Sequence, residues 1–312
     1  MKYRLRHATR YAYGTPVDLA AHLVHLRPRP LRWQRILSDV VSTDPPPARR
    51  RDGLDHFGNR ATWLFLDIPH ADFMIVAESV VDVGFPEPPR AAATPPWERV
   101  AEAAQMTEGW RASEYRFSSP MAPANAAITA YAAASFPQGR PILEALMDLN
   151  GRIKADFQYQ SGSTSVATPV AEVMHRRTGV CQDFAHVMVS GLRGLGLPAR
   201  YVSGYIRTRP PPGQPRRPGA DQSHAWVGAW LGPTLGWIDL DPTNGLIVRD
   251  EHVVVGWGRD YADVSPVRGV ILGGGHHSLS VNVDLVPDGE EMPPDDGVPT
   301  VGTVYPIVNG SR

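Results

Sequence analysis

One cysteine, one histidine and a pair of aspartates, at Cys181, His224, Asp239 and Asp241, carry the chemistry that this chain offers. Cys181 follows Thr178-Gly179-Val180 and opens a run with apolar residues at Cys181, Phe184, Ala185, Met188, Leu192 and Leu195. Those positions fall on one face of a helix over about 181–195, stopped by Gly196 and Pro198. A thiol at such a helix start meets unpaired amide N–H groups and the positive end of the macrodipole. Both favour the thiolate, which is the nucleophile, and the same N–H groups can receive an oxyanion. The plainer alternative is a buried structural cysteine, because free Cys is among the most buried residue types.

A nucleophilic thiol needs a general base, usually His, oriented by a third polar group. In Gln222–Trp230, QSHAWVGAW, strand alternation puts His224, Trp226, Gly228 and Trp230 on one face. A lone His on an apolar strand is often a satisfied core residue, but His224 sits at the strand's start beside a Pro-rich loop. In GWIDLDPTN, Trp237, Asp239 and Asp241 share a face, and buried charge without a partner is costly. The turn at Gly232–Gly236 makes the two strands a hairpin, which brings the start of the first beside the end of the second. Asp241 beside His224 is therefore geometrically reasonable. The alternative is that Asp241-Pro242-Thr243-Asn244 is only a turn initiator.

Elements must position these groups. The chain has 312 residues, which suggests two domains and a substantial core. Its 31 Lys and Arg against 32 Asp and Glu argue against a broadly cationic nucleic-acid binder and a membrane-surface helix protein. One cysteine excludes an intramolecular disulfide and a multi-cysteine zinc site. No apolar run approaches the roughly 18 residues of a membrane span, and the N-terminus lacks the apolar region of a secretion signal, so a cytoplasmic protein is expected. Residues 1–85 read as short strands, with Tyr3, Leu5 and His7 on one face, a turn at Gly14-Thr15-Pro16, and Pro clusters between elements. Many short strands suggest an antiparallel β-sandwich-like domain. Residues 86–140 read as a linker with helices. Leu143, Leu146, Leu149, Ile153 and Phe157 then mark a helix, and Thr168-Pro169 starts a short one. The core occupies 141–286 with its C-terminal strands, and the acidic, Pro-rich residues 287–312 read as a flexible tail.

The blocks TGVCQDFAHVMVSGLRGLGLPARYVSGYI, SHAWVGAWL and GWIDLDPTNG, in that order, resemble the bacterial transglutaminase-like family, part of the transglutaminase-like cysteine protease superfamily. Residues 1–85 resemble its N-terminal β-domain, and HVVVGWGRDYADVSPVRGV with GGGHHSLSVNVDLV resembles its C-terminal part. The resemblance implies an α+β fold in which a papain-like core packs a Cys-bearing helix on an antiparallel sheet. It maps the family's catalytic Cys, His and Asp onto Cys181, His224 and Asp241. Two positions depart from the pattern: Asp239 stands where relatives often have a small residue, and Gly228 where they often have Glu.

The resemblance implies acyl transfer on amide bonds through a thioester acyl-enzyme, with a peptide or protein substrate and, for transamidation, an amine acceptor. Hydrolysis is favoured over cross-linking, because the chain shows no β-domains beyond the first and the superfamily's bacterial members are often proposed as proteases. No cofactor and no metal are expected, since His276-His277 has no third ligand spaced to join it. Tyr159 and Gln160 are candidates for the second oxyanion donor. Asp183 and His186 lie one turn apart on the Cys helix, at a spacing that allows them to pair. Asp239 is a candidate to compete with Asp241 for His224. The competing class is a catalytically silent binding module that keeps the fold.

Overall fold

The structure is a computed structural model that describes residues 1–208 and 222–293. The Pro/Gly/Arg loop 209–220 and all but the start of the expected tail 287–312 lie outside the described residues.

The N-terminal strands are β1 (Lys2–Val24), β2 (Gln34–Asp44), β3 (Arg49–Leu54), β4 (Arg60–Leu66) and β5 (His70–Val83). Helices α1 (Trp97–Ala103), α2 (Trp110–Ser113), α3 (Ala126–Ala133) and α4 (Ile142–Asp156) follow. Next come β6 (Gln158–Tyr159), α5 (Val170–Arg176), β7 (Thr178–Gly179), the cysteine helix α6 (Cys181–Gly194), β8 (Ala199–Ile206), β9 (Gln222–Trp230), β10 (Trp237–Asp241), β11 (Leu246–Ile247) and β12 (His252–Gly258). The described chain closes with α7 (Tyr261–Val264), β13 (Val267–Gly273) and β14 (His277–Pro287).

β1 is one long strand, and Gly14-Thr15-Pro16 is a bend within it rather than its end. The segment keeps bonding across the bend: the Gly14 N–H donates to His276 O, Thr15 N–H to Gly274 O, and Gly274 N–H to Pro16 O. Before the bend β1 pairs with β5 and β14; after it, beyond a last β5 pair at Val17–His70, it pairs with β4 and β13. A single seven-stranded sheet therefore folds over itself, which is the physical form of the expected sandwich. Val17, Ala20, Val24, Leu64, Phe73 and Ile75, drawn from both halves, fill the fold. Residues 267–287, which the sequence places with the core, are strands of this N-terminal sheet.

The core sheet runs β11-β10-β9-β8-β12, and α6 packs on it through Phe184, Ala185, Met188 and Leu192. After α6, Gly196 takes φ +78°, and the Leu197 and Gly196 N–H groups return to the carbonyls of Leu192 and Arg193. This left-handed cap turns the chain straight into β8. α5 starts one residue later than Thr168 would dictate, because the Thr168 Oγ1 accepts from the Ser165 N–H instead of capping.

Two side-chain amides hold the N-terminal sheet to the core. β12 is an edge strand with unpaired N–H and C=O groups. Gln34 accepts from Val254 N–H (2.8 Å) and donates to Val254 O (2.7 Å). Asn59 does the same at Trp257, at 2.9 and 2.8 Å. Both amides are fully buried and so replace a missing strand. Tyr3, Leu5 and Leu285 then pack against Tyr205, Val253 and Val255.

Candidate active site

Cys181 is the first residue of α6, with Val180 as its N-cap. The Asp183 carboxylate reaches back to the Val180 N–H at 2.8 Å and accepts from the Thr164 hydroxyl at 2.6 Å. This is the reciprocal half of a capping box, and burial pushes Asp183 upward despite those two bonds. The first helical N–H groups, on Cys181 and Gln182, have no acceptor within the helix. His186, one turn on, does not pair with Asp183. Its Nε2 accepts from the Tyr261 N–H at 3.2 Å, its ring stacks on Tyr201, and burial holds it at about 4.

β9 brings His224 over the thiol. The β9–β10 register pairs Trp237 with Trp230 and Leu240 with Val227, so the end of β10 lies beside the start of β9. His224 Nε2 donates to Asp241 Oδ2 at 2.8 Å, and the ring also hydrogen-bonds the Cys181 thiol. With Nε2 taken by Asp241, Nδ1 is the nitrogen left for sulfur. Burial opposes charge on the imidazole. The Cys181 charge, and hydrogen bonds to Asp241 and Cys181, outweigh it and push His224 up to about 10.

Asp241 is fully buried. Burial alone would raise it, yet hydrogen bonds from His224 and His252, the His224 charge and Asn244 hold it well below the usual carboxylate range. Asn244 Nδ2 donates to Oδ2 at 2.6 Å and His252 Nε2 at 3.3 Å, while the Thr243 and Asn244 N–H groups donate to Oδ1. The Asp-Pro-Thr-Asn segment is thus a turn and a charge anchor at once.

Asp239 does not compete for His224. It accepts from Trp226 Nε1 at 3.1 Å and faces the buried Arg200 guanidinium at 3.6 Å. Arg200 lies between the rings of Trp237 and Trp257, at 4.5 and 3.7 Å. A Cβ at residue 228 would come 2.6 Å from Arg200 Nε and 2.9 Å from Asp239 Oδ1. Gly228 and Asp239 are register partners across the β9–β10 ladder. Gly228 thus leaves open the space in which the Arg200 guanidinium faces Asp239.

Tyr159 borders the same cavity as Cys181, whereas the Gln160 N–H is spent on Gly179 O. The sequence did not single out His252, Arg200, Asn244 or Thr164. A histidine heading the apolar run HVVVGWG was the one available signal for His252. His224, Asp241 and His252 form the only set of metal-type ligands among the described residues, with donor atoms within 4.8 Å of one another. The hydrogen bonds among them account for that approach. His277 instead pairs with Tyr13 in the β1–β14 ladder. No helix among the described residues is long and apolar enough to cross a membrane.

Comparison with known proteins bears on this geometry. Residues 3–82 match the bacterial transglutaminase-like N-terminal region, and residues 129–242 match the transglutaminase-like superfamily. An uncharacterised protein of Mycobacterium tuberculosis is 41% identical over 293 residues, covering 92% of this chain and 93% of the relative. The chain belongs to the bacterial transglutaminase-like family. A 68-residue stretch is 40% identical to a protein-glutamine gamma-glutamyltransferase of Pseudomonas aeruginosa, over 22% of this chain and 10% of that enzyme. The fold is shared with a candidate cysteine protease from Cytophaga hutchinsonii, at TM-score 0.71 and 20% identity over 94% of this chain and 93% of that one. Family membership and the half-buried thiol in its cavity support a general cysteine-based activity on amides.

Proposed function

We propose that the protein is a Cys-His-Asp acyltransferase acting on peptide or isopeptide bonds, with water as the preferred acceptor. The observation that carries this reading is the His224 ring held between the Cys181 thiol and the fully buried Asp241. The Cys181 thiolate attacks the amide carbonyl and forms a C–S bond, and the carbonyl electron pair moves to oxygen. The oxyanion is met by the Cys181 N–H at the start of α6 and by a second donor near Tyr159. Imidazolium His224 gives its proton to the leaving amine as the C–N bond breaks. Neutral His224 then takes a proton from water, which attacks the thioester, and the thiolate returns with release of the acid. An amine attacking in place of water would give transamidation through the same residues. Hydrolysis is favoured because Cys181 is half-buried in a cavity of about 1520 Å³, wide enough for water to reach the acyl-enzyme.

The pH dependence of Cys181 alkylation by iodoacetamide, in the unaltered chain and in His224→Ala, tests this. The ion pair gives a rate that already plateaus near pH 5–6 and that moves toward pH 8–9 without the imidazole, roughly the range of a free thiol. Free-thiol profiles in both proteins would refute it and favour the binding-module reading.

A further inference from the structure

The cavity in front of Cys181 is shared between the core and the folded-over half of the N-terminal sheet. There the strands run β3-β4-β1-β13, and their register aligns two cross-strand rows. One row is Arg51, Trp63, Leu23 and Arg268; the next is Arg49, Phe65, Ala21 and Val270. Cross-strand partners project from the same face, and all eight residues border the cavity. The opposite face of these strands packs Ala20, Val24 and Leu64 into the N-terminal core, and its His22, Leu64 and Ile271 reach the same cavity. The outer face therefore has no covering layer, and it keeps Val270 at 76% and Trp63 at 37% exposure. Leu19 and Leu272, register partners one row further on, are also exposed.

Its charge is one-sided. Four arginines, Arg49, Arg50, Arg51 and Arg268, border the cavity, and no aspartate or glutamate among the described residues does. Arg50 is satisfied by Asp52 and the Val41 carbonyl. Arg268 donates to the Ala262 carbonyl, an uncharged partner. Arg49 and Arg51 lean over Phe65 and Trp63, at 6.0 and 5.8 Å, with no carboxylate partner among the described residues. The result is an apolar strip with guanidinium groups along both margins, contiguous with the thiol cavity.

We infer that this face binds the substrate, and that the substrate is an extended acidic peptide segment alternating carboxylate and apolar side chains. In an extended segment successive side chains point to opposite sides. Apolar residues would lie on Trp63, Leu23 and Val270, while carboxylates would reach Arg49, Arg51 and Arg268. Planar guanidinium groups match carboxylates in two-point contacts. The exposed aliphatic residues favour a peptide over a nucleic acid, whose bases would call for stacking platforms. The substrate class rests on the acyl-transfer reading; binding itself does not require it.

The test uses full-length Cys181→Ala, which cannot turn over, and fluorescence anisotropy. The probes are a fluorescein-labelled decapeptide alternating Glu with Leu or Phe, the same peptide with Lys for Glu, and an oligothymidylate of equal charge. The Glu peptide is expected to bind at least about tenfold more tightly than the Lys peptide, and more weakly as salt is raised. Arg49→Glu, Arg51→Glu and Arg268→Glu combined are expected to abolish that preference, and the three alanine variants to weaken it by about tenfold. The two peptides on the unaltered surface keep the test decisive even if the charge-reversed protein does not fold. Equal binding of both peptides, equally tight oligothymidylate, or indifference to the arginine substitutions would each overturn the inference. Failure of the alkylation test above would remove the catalytic reading and leave the binding result standing.

Discussion

Asp241→Asn keeps the size of the side chain and changes its charge and one donor. In the native site five donors face this carboxylate: His224, Asn244 Nδ2 and His252 at Oδ2, and two backbone N–H groups at Oδ1. No acceptor faces it in return, so an amide must turn its NH₂ toward donors. The backbone N–H groups of Thr243 and Asn244 cannot become acceptors, so the NH₂ turns to the imidazoles. His224 then adopts the neutral form with Nε2 accepting and Nδ1–H turned to the thiol. Sulfur loses both its counter-charge and the acceptor for its proton. Removing one partner from a buried charge pair costs about 3–5 kcal/mol. At roughly 2–4 °C per kcal/mol for a chain near this size, the thermal midpoint falls by roughly 6–20 °C. The assay is alkylation read by intact mass, which reports Cys181 alone because the chain has no other cysteine. The unaltered chain should react faster than Asp241→Asn at neutral pH, because protonated His224, pushed up to about 10, favours the thiolate. Asp241→Asn should rise as a free thiol does, through about pH 8–9. Coincident profiles would refute the claim that Asp241 sets the charge state of His224.

Stability should peak near pH 6.5 in urea unfolding. His7, His22 and His186, held by burial at about 4, stay neutral in the fold, so their contribution is complete above about 6.5 and is lost as pH falls toward 4, up to about 3 kcal/mol each. His224, pushed up to about 10, contributes fully below about 6.5 and loses its contribution as pH climbs toward 10; a midpoint still rising at pH 9 would contradict this. Asn59→Leu should cost about 2–6 kcal/mol, by stranding the Trp257 N–H and C=O, and should speed hydrogen exchange along β12; unchanged exchange would show that the amide does not hold the edge. Asp239→Ala should cost about 3–5 kcal/mol by leaving Arg200 buried and unpaired. Gly228→Ala should cost about 1–3 kcal/mol, because its Cβ would come 2.6 Å from Arg200 Nε and 2.9 Å from Asp239 Oδ1; an unchanged urea midpoint would show that the glycine does not hold that space open.

Much of the site was legible before any coordinates. The apolar spacing from Cys181 to Leu195 predicts a helix, and α6 runs Cys181–Gly194. The two-residue period of QSHAWVGAW and GWIDLDP predicts a hairpin, and β9 pairs with β10. Local periodicity is readable because each residue's face follows from its own place in the chain. It could not show which of two aspartates on one face meets His224. That choice depends on Arg200, a residue of another strand whose guanidinium claims Asp239 through space that only Gly228 leaves open.

The sequence by itself determined the helix that carries Cys181, the hairpin that carries His224 and Asp241, and the order of motifs that marks the family. These are short-range consequences of side-chain period, turn residues and caps. Tertiary structure alone decided that β1 bends at Gly14–Pro16 without ending, and that residues 267–287 return some 260 positions along the chain to pair with its two halves. It alone placed His252 on Asp241, and the arginine-edged face of β3, β4, β1 and β13 beside the thiol cavity. Strand partners distant in sequence are chosen by which edges and faces remain to be buried once local elements exist, and no residue's own neighbours record that choice.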